Sequence, residues 1–260
     1  MKLTNAILHS LLAIGASLLS YGGETTATAT ASTDAAITGS AAIGYNSIYE
    51  FRGVDLGSNM VESSASLTAT YEGFGYTASA WYATVNDSPK NTTSNELDLT
   101  FAITKSLGPV NLSGGYIFYN FYSANATNTQ ELYLGASTEI TAGISASATA
   151  YYDIDLWNGW FFDLNLSKTF KPSDSVDIVT TVGVGLAEST ALQAKANGAP
   201  LDGYQDFYAM ISVPWTVRKN VVLAPYVRYV SAASDLVSDS TSRSTGQEHF
   251  IGGLKLTVSF

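Results

Sequence analysis

Apolar and polar residues alternate along twelve segments of this chain, and each segment is about long enough to cross a bilayer as a tilted strand. The closing segment shows the pattern clearly, because one of its faces carries Leu254, Leu256, Val258 and Phe260. The alternation predicts twelve strands, each with one apolar face, at residues 37–51, 64–71, 76–85, 96–105, 110–121, 130–140, 144–152, 160–170, 176–186, 206–217, 221–230 and 248–260.

The connections between these segments alternate between short and long. Short connections with the Gly, Pro and Asn of tight turns lie at residues 72–75, 106–109, 141–143, 171–174 and 218–220. Longer polar connections lie at residues 53–62, 86–95, 122–129, 153–159, 187–205 and 231–247. This asymmetry is typical of bacterial outer-membrane barrels. We therefore predict an all-β transmembrane antiparallel up-and-down β-barrel of about 12 strands over residues 37–260, with a secreted β-sandwich as the alternative.

The front of the chain has a different composition. A basic start at Met1-Lys2 precedes a mostly apolar run from Ala6 to Leu19, which is too short to span a membrane as a helix. This predicts a secretory signal peptide over residues 1–22 and a flexible lead-in over residues 23–36. With an even strand count, we expect a Gram-negative outer-membrane protein with both termini in the periplasm.

Composition supports the barrel and limits the partners. Charged residues make up only 13% of the chain, against about 25% in soluble domains, while 16 Tyr and 11 Phe supply aromatic belts such as Tyr49 and Phe51 on the apolar face. A formal net charge of −10 argues against nucleic acid. We expect outer-membrane lipid and lipopolysaccharide as partners, together with the barrel-assembly machinery, which we expect to read the terminal Phe260 as an assembly signal.

One motif resembles a known family. The TorF family of porin-like outer-membrane proteins has a Tyr-x-Phe-Arg-Gly element after its first strand, and this chain carries Tyr49-Glu50-Phe51-Arg52-Gly53-Val54. Further segments that look like the family's later motifs are Glu96-Leu97-Asp98-Leu99, Gly114-Gly115-Tyr116 with Tyr119, and Glu131-Leu132-Tyr133-Leu134-Gly135. The resemblance covers mainly residues 40–155. It implies an outer-membrane location and a barrel fold, and it implies no particular activity.

The face opposite the apolar one carries the candidate chemistry. The alternation directs ten charged or titratable side chains into the lumen: Glu50, Arg52, Glu96, Asp98, Glu131, Asp163, Asp206, Arg228, His249 and Lys255. Arg52 and His249 fall where the first and last strands meet, with Arg228 one strand further, and acids face them. This predicts a pore with a cationic wall and an acidic wall, an arrangement that sets ion preference. Alternatively, these charges pair and plug the lumen, since a barrel of this size permits both.

These observations favour a narrow porin-like diffusion channel for small solutes or ions, with a modest cation preference because inward acids outnumber bases. The alternative is a non-conducting structural or adhesive surface barrel. An outer-membrane lipid-modifying enzyme is less expected, because the mature chain has one histidine, His249, and no serine is singled out beside it. We predict no catalytic residue, metal or cofactor. Weaker alternatives are calcium at Asp153, Asp155, Asp235 and Asp239, and an inward-folding helix over residues 188–196.

Overall fold

The computed structural model describes residues 36–87, 95–122, 127–190, 201–233 and 248–260, and these form an all-β antiparallel barrel. Its strands are β1 Ala36–Phe51, β2 Val54–Tyr71, β3 Phe74–Asp87, β4 Asn95–Leu107, β5 Val110–Phe121, β6 Thr129–Thr141, β7 Ile144–Asp153, β8 Trp160–Phe170, β9 Ile178–Thr190, β10 Leu201–Ser212, β11 Trp215–Arg218, β12 Val221–Ala232 and β13 Glu248–Ser259. Neighbouring strands pair around the ring, and pairing of β1 with β13 closes the sheet. No helix within the described ranges is long and apolar enough to cross a membrane.

The barrel has twelve strands, because β10 and β11 are two parts of one. Both pair with β12, and only Val213 and Pro214 separate them. Pro214 has no N–H to give to the sheet, so the ladder breaks there, while the Val213 N–H still donates to the Pro225 carbonyl at 2.9 Å. The predicted fold class and strand number are thus confirmed.

The outer surface is apolar along every part of the ring. Side chains alternate between the outside and the interior, and those that stay exposed outside include Ile43, Leu67, Phe101, Leu134 and Val227. An apolar band of this extent suits a lipid environment rather than water. On β3 the sequence pattern does not decide which side chains face outward. In the structure Tyr76 and Tyr82 are exposed outside, whereas Trp81 and Val85 are buried inside.

The interior differs between its two halves. Near the short turns the inward side chains are small and hydroxyl-bearing. Some are half-buried, as at Ser40, Ser66, Ser113, Ser147 and Thr257, and others are buried, as at Thr68, Thr77, Thr104 and Ser212. Near the longer connections the inward side chains are bulky or charged, and most are buried. Small hydroxyl-bearing side chains therefore line one half of the interior, and bulkier or charged side chains line the other.

Three inward tyrosines lie flat against the wall because each sits on a glycine of the next strand. The cross-strand pairs are Tyr133 with Gly115, Tyr208 with Gly183 and Tyr226 with Gly253. A Cβ added at any of these glycines would meet the tyrosine ring closer than 3.0 Å. Glycine therefore makes room for an aromatic ring at the wall, a known device in designed sheets.

Candidate functional site

The tip of the β1–β2 hairpin leaves the barrel wall and folds into the interior. Within the described residues, β1 pairs with β13 only from Ser40 to Asn46, and β2 pairs with β3 only from Ser58 onward. Between them, the strand pairing given for residues 49–57 within the described part of the chain is with each other, across a register shift at Tyr49 and Glu50. We call residues 49–57 the hairpin tip. It contains the motif that resembles the TorF signature.

A turn of only two residues, Arg52 and Gly53, connects β1 to β2. Their φ angles of 50° and 87° are both positive, as the favoured two-residue hairpin turns require. Arginine in this region costs roughly 1–2 kcal/mol, which local hydrogen bonds offset. The Gly53 N–H donates to Glu50 Oε1 at 2.5 Å, and Gln205 Nε2 donates to the Arg52 carbonyl at 2.6 Å. The long connection predicted at residues 53–62 is therefore wrong, because β2 begins at Val54.

The Arg52 side chain reaches the opposite wall, where strands β6 to β8 lie. Its Nη1 and Nη2 donate to the two carboxylate oxygens of Glu131, each at 2.7 Å. The guanidinium carbon lies 4.9 Å from the ring centre of Tyr151 and 4.3 Å from that of Phe161. Tyr119 donates its hydroxyl to Glu131 Oε2 at 2.9 Å. Arginine can form a forked ion pair and stack on aromatic rings at the same time, whereas lysine cannot.

The charge on Arg52 persists although the side chain is only 9% exposed. The residue lies in the turn, outside the strands that would cross a bilayer. Burial by itself lowers the pKa of its guanidinium, but the adjacent Glu131 carboxylate raises that pKa well above the ordinary value. Arg52 therefore keeps its positive charge in this buried position.

Glu50, also in the tip, contacts a different part of the wall. Its Oε2 lies 3.4 Å from Nη2 of Arg228 on β12, whose guanidinium stacks on Tyr208 at 4.3 Å. Tyr208 in turn donates its hydroxyl to Asp163 Oδ2 at 3.0 Å. The tip thus links β12, β10 and β8 through one chain of polar contacts.

Asp206 is buried beside this chain of contacts. Its Oδ1 has no hydrogen-bond partner among the described atoms. A Cβ added at Gly185 on β9 would collide with Asp206 and with the ring of Phe161. The glycine therefore provides the space that both side chains occupy.

Acidic groups also line the wall next to the hairpin. Tyr49 donates its hydroxyl to Glu96 Oε2 at 2.6 Å, and Asp98 is buried two residues further along β4. Closer to the short turns, Glu62 accepts a hydrogen bond from Trp81 Nε1 at 2.6 Å and lies 3.8 Å from the ammonium of Lys255. Inward acids therefore surround the tip on several sides.

All ten residues predicted to face the lumen lie on the interior. Asp163 and Lys255 are half-buried, and the buried ones are Glu50, Arg52, Glu96, Asp98, Glu131, Asp206, Arg228 and His249. Their role in lining a pore stays a prediction.

Two expectations about the interior and the aromatic belt are wrong. Arg52 does not face Glu131 from a cationic wall, because the hairpin tip brings the two into contact. Tyr49 does not belong to an outer aromatic belt, because the bulge turns its side chain inward, where it is 2% exposed.

Sequence reasoning did not single out three of the residues that Arg52 contacts: Tyr151, Phe161 and Gln205. Inward parity on their strands, together with an aromatic or amide side chain, was the available signal.

The weaker alternatives have little support. Asp153 Oδ1 accepts the backbone N–H groups of Asp155 and Trp157, which is the role of a turn-capping side chain. Within the described ranges no group of acids, histidines or cysteines fits a metal, and Asp235 and Asp239 lie outside those ranges. A helix from residue 188 is wrong at its start, because β9 continues to Thr190; residues 191–200 lie outside the described part.

Phe260 closes the barrel through its backbone. Its N–H and carbonyl exchange hydrogen bonds with Gly39 at 2.9 and 2.8 Å. The ring covers Gly39 on the outer surface, yet it remains 72% exposed. Its side chain therefore contributes little burial to the folded barrel.

Comparison with known proteins gives a family and a fold. The family described as "Bacterial protein of unknown function (Gcw_chp)" matches residues 29–217. No curated relative matches this sequence.

Similar solved structures include porins and an outer-membrane channel. The NanC porin is 11% identical with a TM-score of 0.51, over 85% of this chain and 98% of that one. The KdgM porin is 13% identical with a TM-score of 0.50, over 85% and 99%. An outer-membrane channel from Pseudomonas putida F1 is 10% identical with a TM-score of 0.56, over 89% and 97%. At such identities the likeness concerns the fold alone.

Proposed function

Because the chain belongs to this family of bacterial proteins of unknown function and shares the fold of outer-membrane porins, we propose that it is a narrow porin-like channel for small solutes or ions. One observation carries this proposal: a closed barrel with one half of its interior lined by small hydroxyl-bearing side chains and the other half narrowed by the charged hairpin tip. Narrow, charged sections of this kind select among small solutes in known pores.

A modest cation preference follows from the charges at the constriction. Two acids are matched by arginines, in the pairs Arg52–Glu131 and Arg228–Glu50. The remaining inward acids outnumber Lys255, the remaining inward base among the described residues. These acids are Glu62, Glu96, Asp98, Asp163 and Asp206. Acids inside a wall of low dielectric focus a field that concentrates cations.

The location we propose is the outer membrane of a Gram-negative bacterium, with both termini in the periplasm. The apolar outer band suits contact with outer-membrane lipid and lipopolysaccharide. The exposed ring of Phe260 suits recognition by the barrel-assembly machinery, since it is not needed for packing. The TorF-like motif supports the same location.

A non-conducting surface barrel is the second candidate, and the hairpin tip is the observation that favours it. The tip contacts β4, β6 and β12 through hydrogen bonds and ion pairs, so it obstructs part of the interior. We do not propose an enzyme, because nothing in the described site pairs a nucleophile with a base.

Single-channel recording in planar bilayers distinguishes these functions. We expect discrete conductance steps from the purified protein, and a reversal potential in a salt gradient that favours cations. An Arg52→Ala variant, whose tip loses its anchor to Glu131, should give larger steps. Silence from both proteins, in preparations that are folded by heat-modifiable gel migration, would establish the non-conducting barrel instead.

A further inference from the structure

The wall that receives Arg52 is built from residues that do not belong to the hairpin tip. Glu131 lies on β6, Tyr119 on β5, Tyr151 on β7 and Phe161 on β8. These four strands are consecutive in the sheet, because β5 and β7 both pair with β6 and β8 pairs with β7. Their register fixes the spacing of the four side chains. We call these four residues the wall cage.

The wall cage has the chemistry of a receptor for a guanidinium group. The carboxylate of Glu131 offers two coplanar acceptors, both used at 2.7 Å. Tyr119 holds that carboxylate from the side with a hydrogen bond of 2.9 Å. The rings of Tyr151 and Phe161 present their faces to the cation at 4.9 and 4.3 Å. Carboxylate forks and aromatic faces are the two features that select planar guanidinium over a compact ammonium.

We propose that the wall cage is a binding site for guanidinium-bearing solutes, and that Arg52 occupies it as a tethered ligand of the chain itself. The hairpin tip delivers this arginine from the far side of the barrel, with no strand pairing to β13 or β3 to hold the tip in the wall. A guanidinium solute that enters the cage displaces the tip. Where the barrel conducts, as proposed above, displacement opens the constriction; binding itself does not depend on conduction.

Methylguanidinium and methylammonium form a matched pair of probes, because they share the methyl group and the charge and differ in the head. The protein is folded in detergent, and its unfolding midpoint is followed by heat-modifiable migration with each salt at equal millimolar concentration. In the Arg52→Ala variant the cage is vacated, so methylguanidinium should raise the midpoint by mass action while methylammonium should not. The wild-type midpoint should respond only at higher methylguanidinium concentration, because the solute must displace tethered Arg52, which has a high effective concentration.

The double variant Arg52→Ala with Glu131→Gln tests whether the response comes from the wall cage. Its affinity for methylguanidinium should fall about tenfold or more, since the carboxylate fork is lost. Arg218→Ala, which removes an exposed arginine at the short-turn end, should behave as wild type. If Arg52→Ala does not fold alone, Arg52→Gln replaces it, and folding restored by methylguanidinium but not methylammonium is then the positive result.

The proposal is overturned if methylguanidinium does not stabilise the vacated variant, or if Glu131→Gln leaves the effect intact. A second measurement separates this outcome from failure of the channel. Methylguanidinium should alter the current through Arg52→Ala in planar bilayers. A stabilising effect without any current would retain the binding site and reject the channel.

Discussion

Arg52 and Glu131 stand on opposite sides of the twelve-stranded ring, yet their side chains form a forked ion pair with both contacts at 2.7 Å. The pair exists because the hairpin tip leaves the wall and carries Arg52 across the interior. It is buried, so each charge depends on the other for compensation. This contact fixes where the tip lies and how much of the lumen it occupies.

Removing only the carboxylate should therefore be costly. Glu131→Gln leaves the Arg52 guanidinium buried without its counter-charge, and we expect a loss of about 3–5 kcal/mol in unfolding free energy. Denaturant titration in detergent, followed by tryptophan fluorescence, measures it. Glu139→Gln is the matched control, because that acid is exposed on the same strand. Equal stability of the two variants would show that the pair does not anchor the tip.

A glycine on β9 should also contribute to stability, by a smaller amount than the ion pair. Gly185→Ala places a Cβ against Asp206 and the ring of Phe161, and overpacking of this kind costs about 1–3 kcal/mol. Gly252→Ala is the control, because nothing lies within 4 Å of the Cβ position on that glycine. Thermal unfolding of the two variants in the same detergent should separate them clearly. A Gly185→Ala variant as stable as the control would mean that the interior yields easily.

The alternation of the sequence predicts the fold and the inward position of all ten candidate residues, because strand parity is a local property. It does not predict the hairpin tip. The polar run after Gly53 resembles a loop, but it is a strand on which Leu56 packs against the buried cluster of Tyr49, Met60 and Trp81. The bulge at Tyr49 and Glu50 also shifts the parity. The pairing of Arg52 with Glu131 joins residues 79 positions apart, and no local pattern specifies a partner at that separation.

Phe260 should matter for assembly more than for stability. Its ring is 72% exposed, so deleting the residue removes little buried surface, although two backbone hydrogen bonds to Gly39 are lost with it. We expect a strong decrease of the barrel in cellular outer membranes and nearly normal folding in detergent. Phe250→Ala, on the same strand with a side chain 76% exposed, is the control and should insert normally. Normal insertion of the deletion variant would exclude a role as assembly signal.

We expect ion selectivity to depend on the acids beside the tip. Glu96 and Asp98 are both buried on β4, two residues apart and facing inward, next to the Tyr49 hydroxyl. Replacing both by their amides, Glu96→Gln with Asp98→Asn, keeps the shape and removes negative charge from the constriction. The reversal potential in a salt gradient should shift toward anions. The shift should shrink at high ionic strength, because the Debye length falls to about 3 Å at 1 M salt.

The control for this last measurement neutralises exposed acids at the short-turn end, through Glu72→Gln with Asp174→Asn. The net charge then changes equally in both double variants, so a difference in reversal potential reports position rather than total charge. Exposed charges at a wide, screened mouth should have little effect, whereas those at the constriction act through a medium of low dielectric. Identical reversal potentials in wild type and the Glu96/Asp98 variant would place these acids outside the conducting path, and the cation preference would then have to come from Asp163 and Asp206 on the other side of the tip.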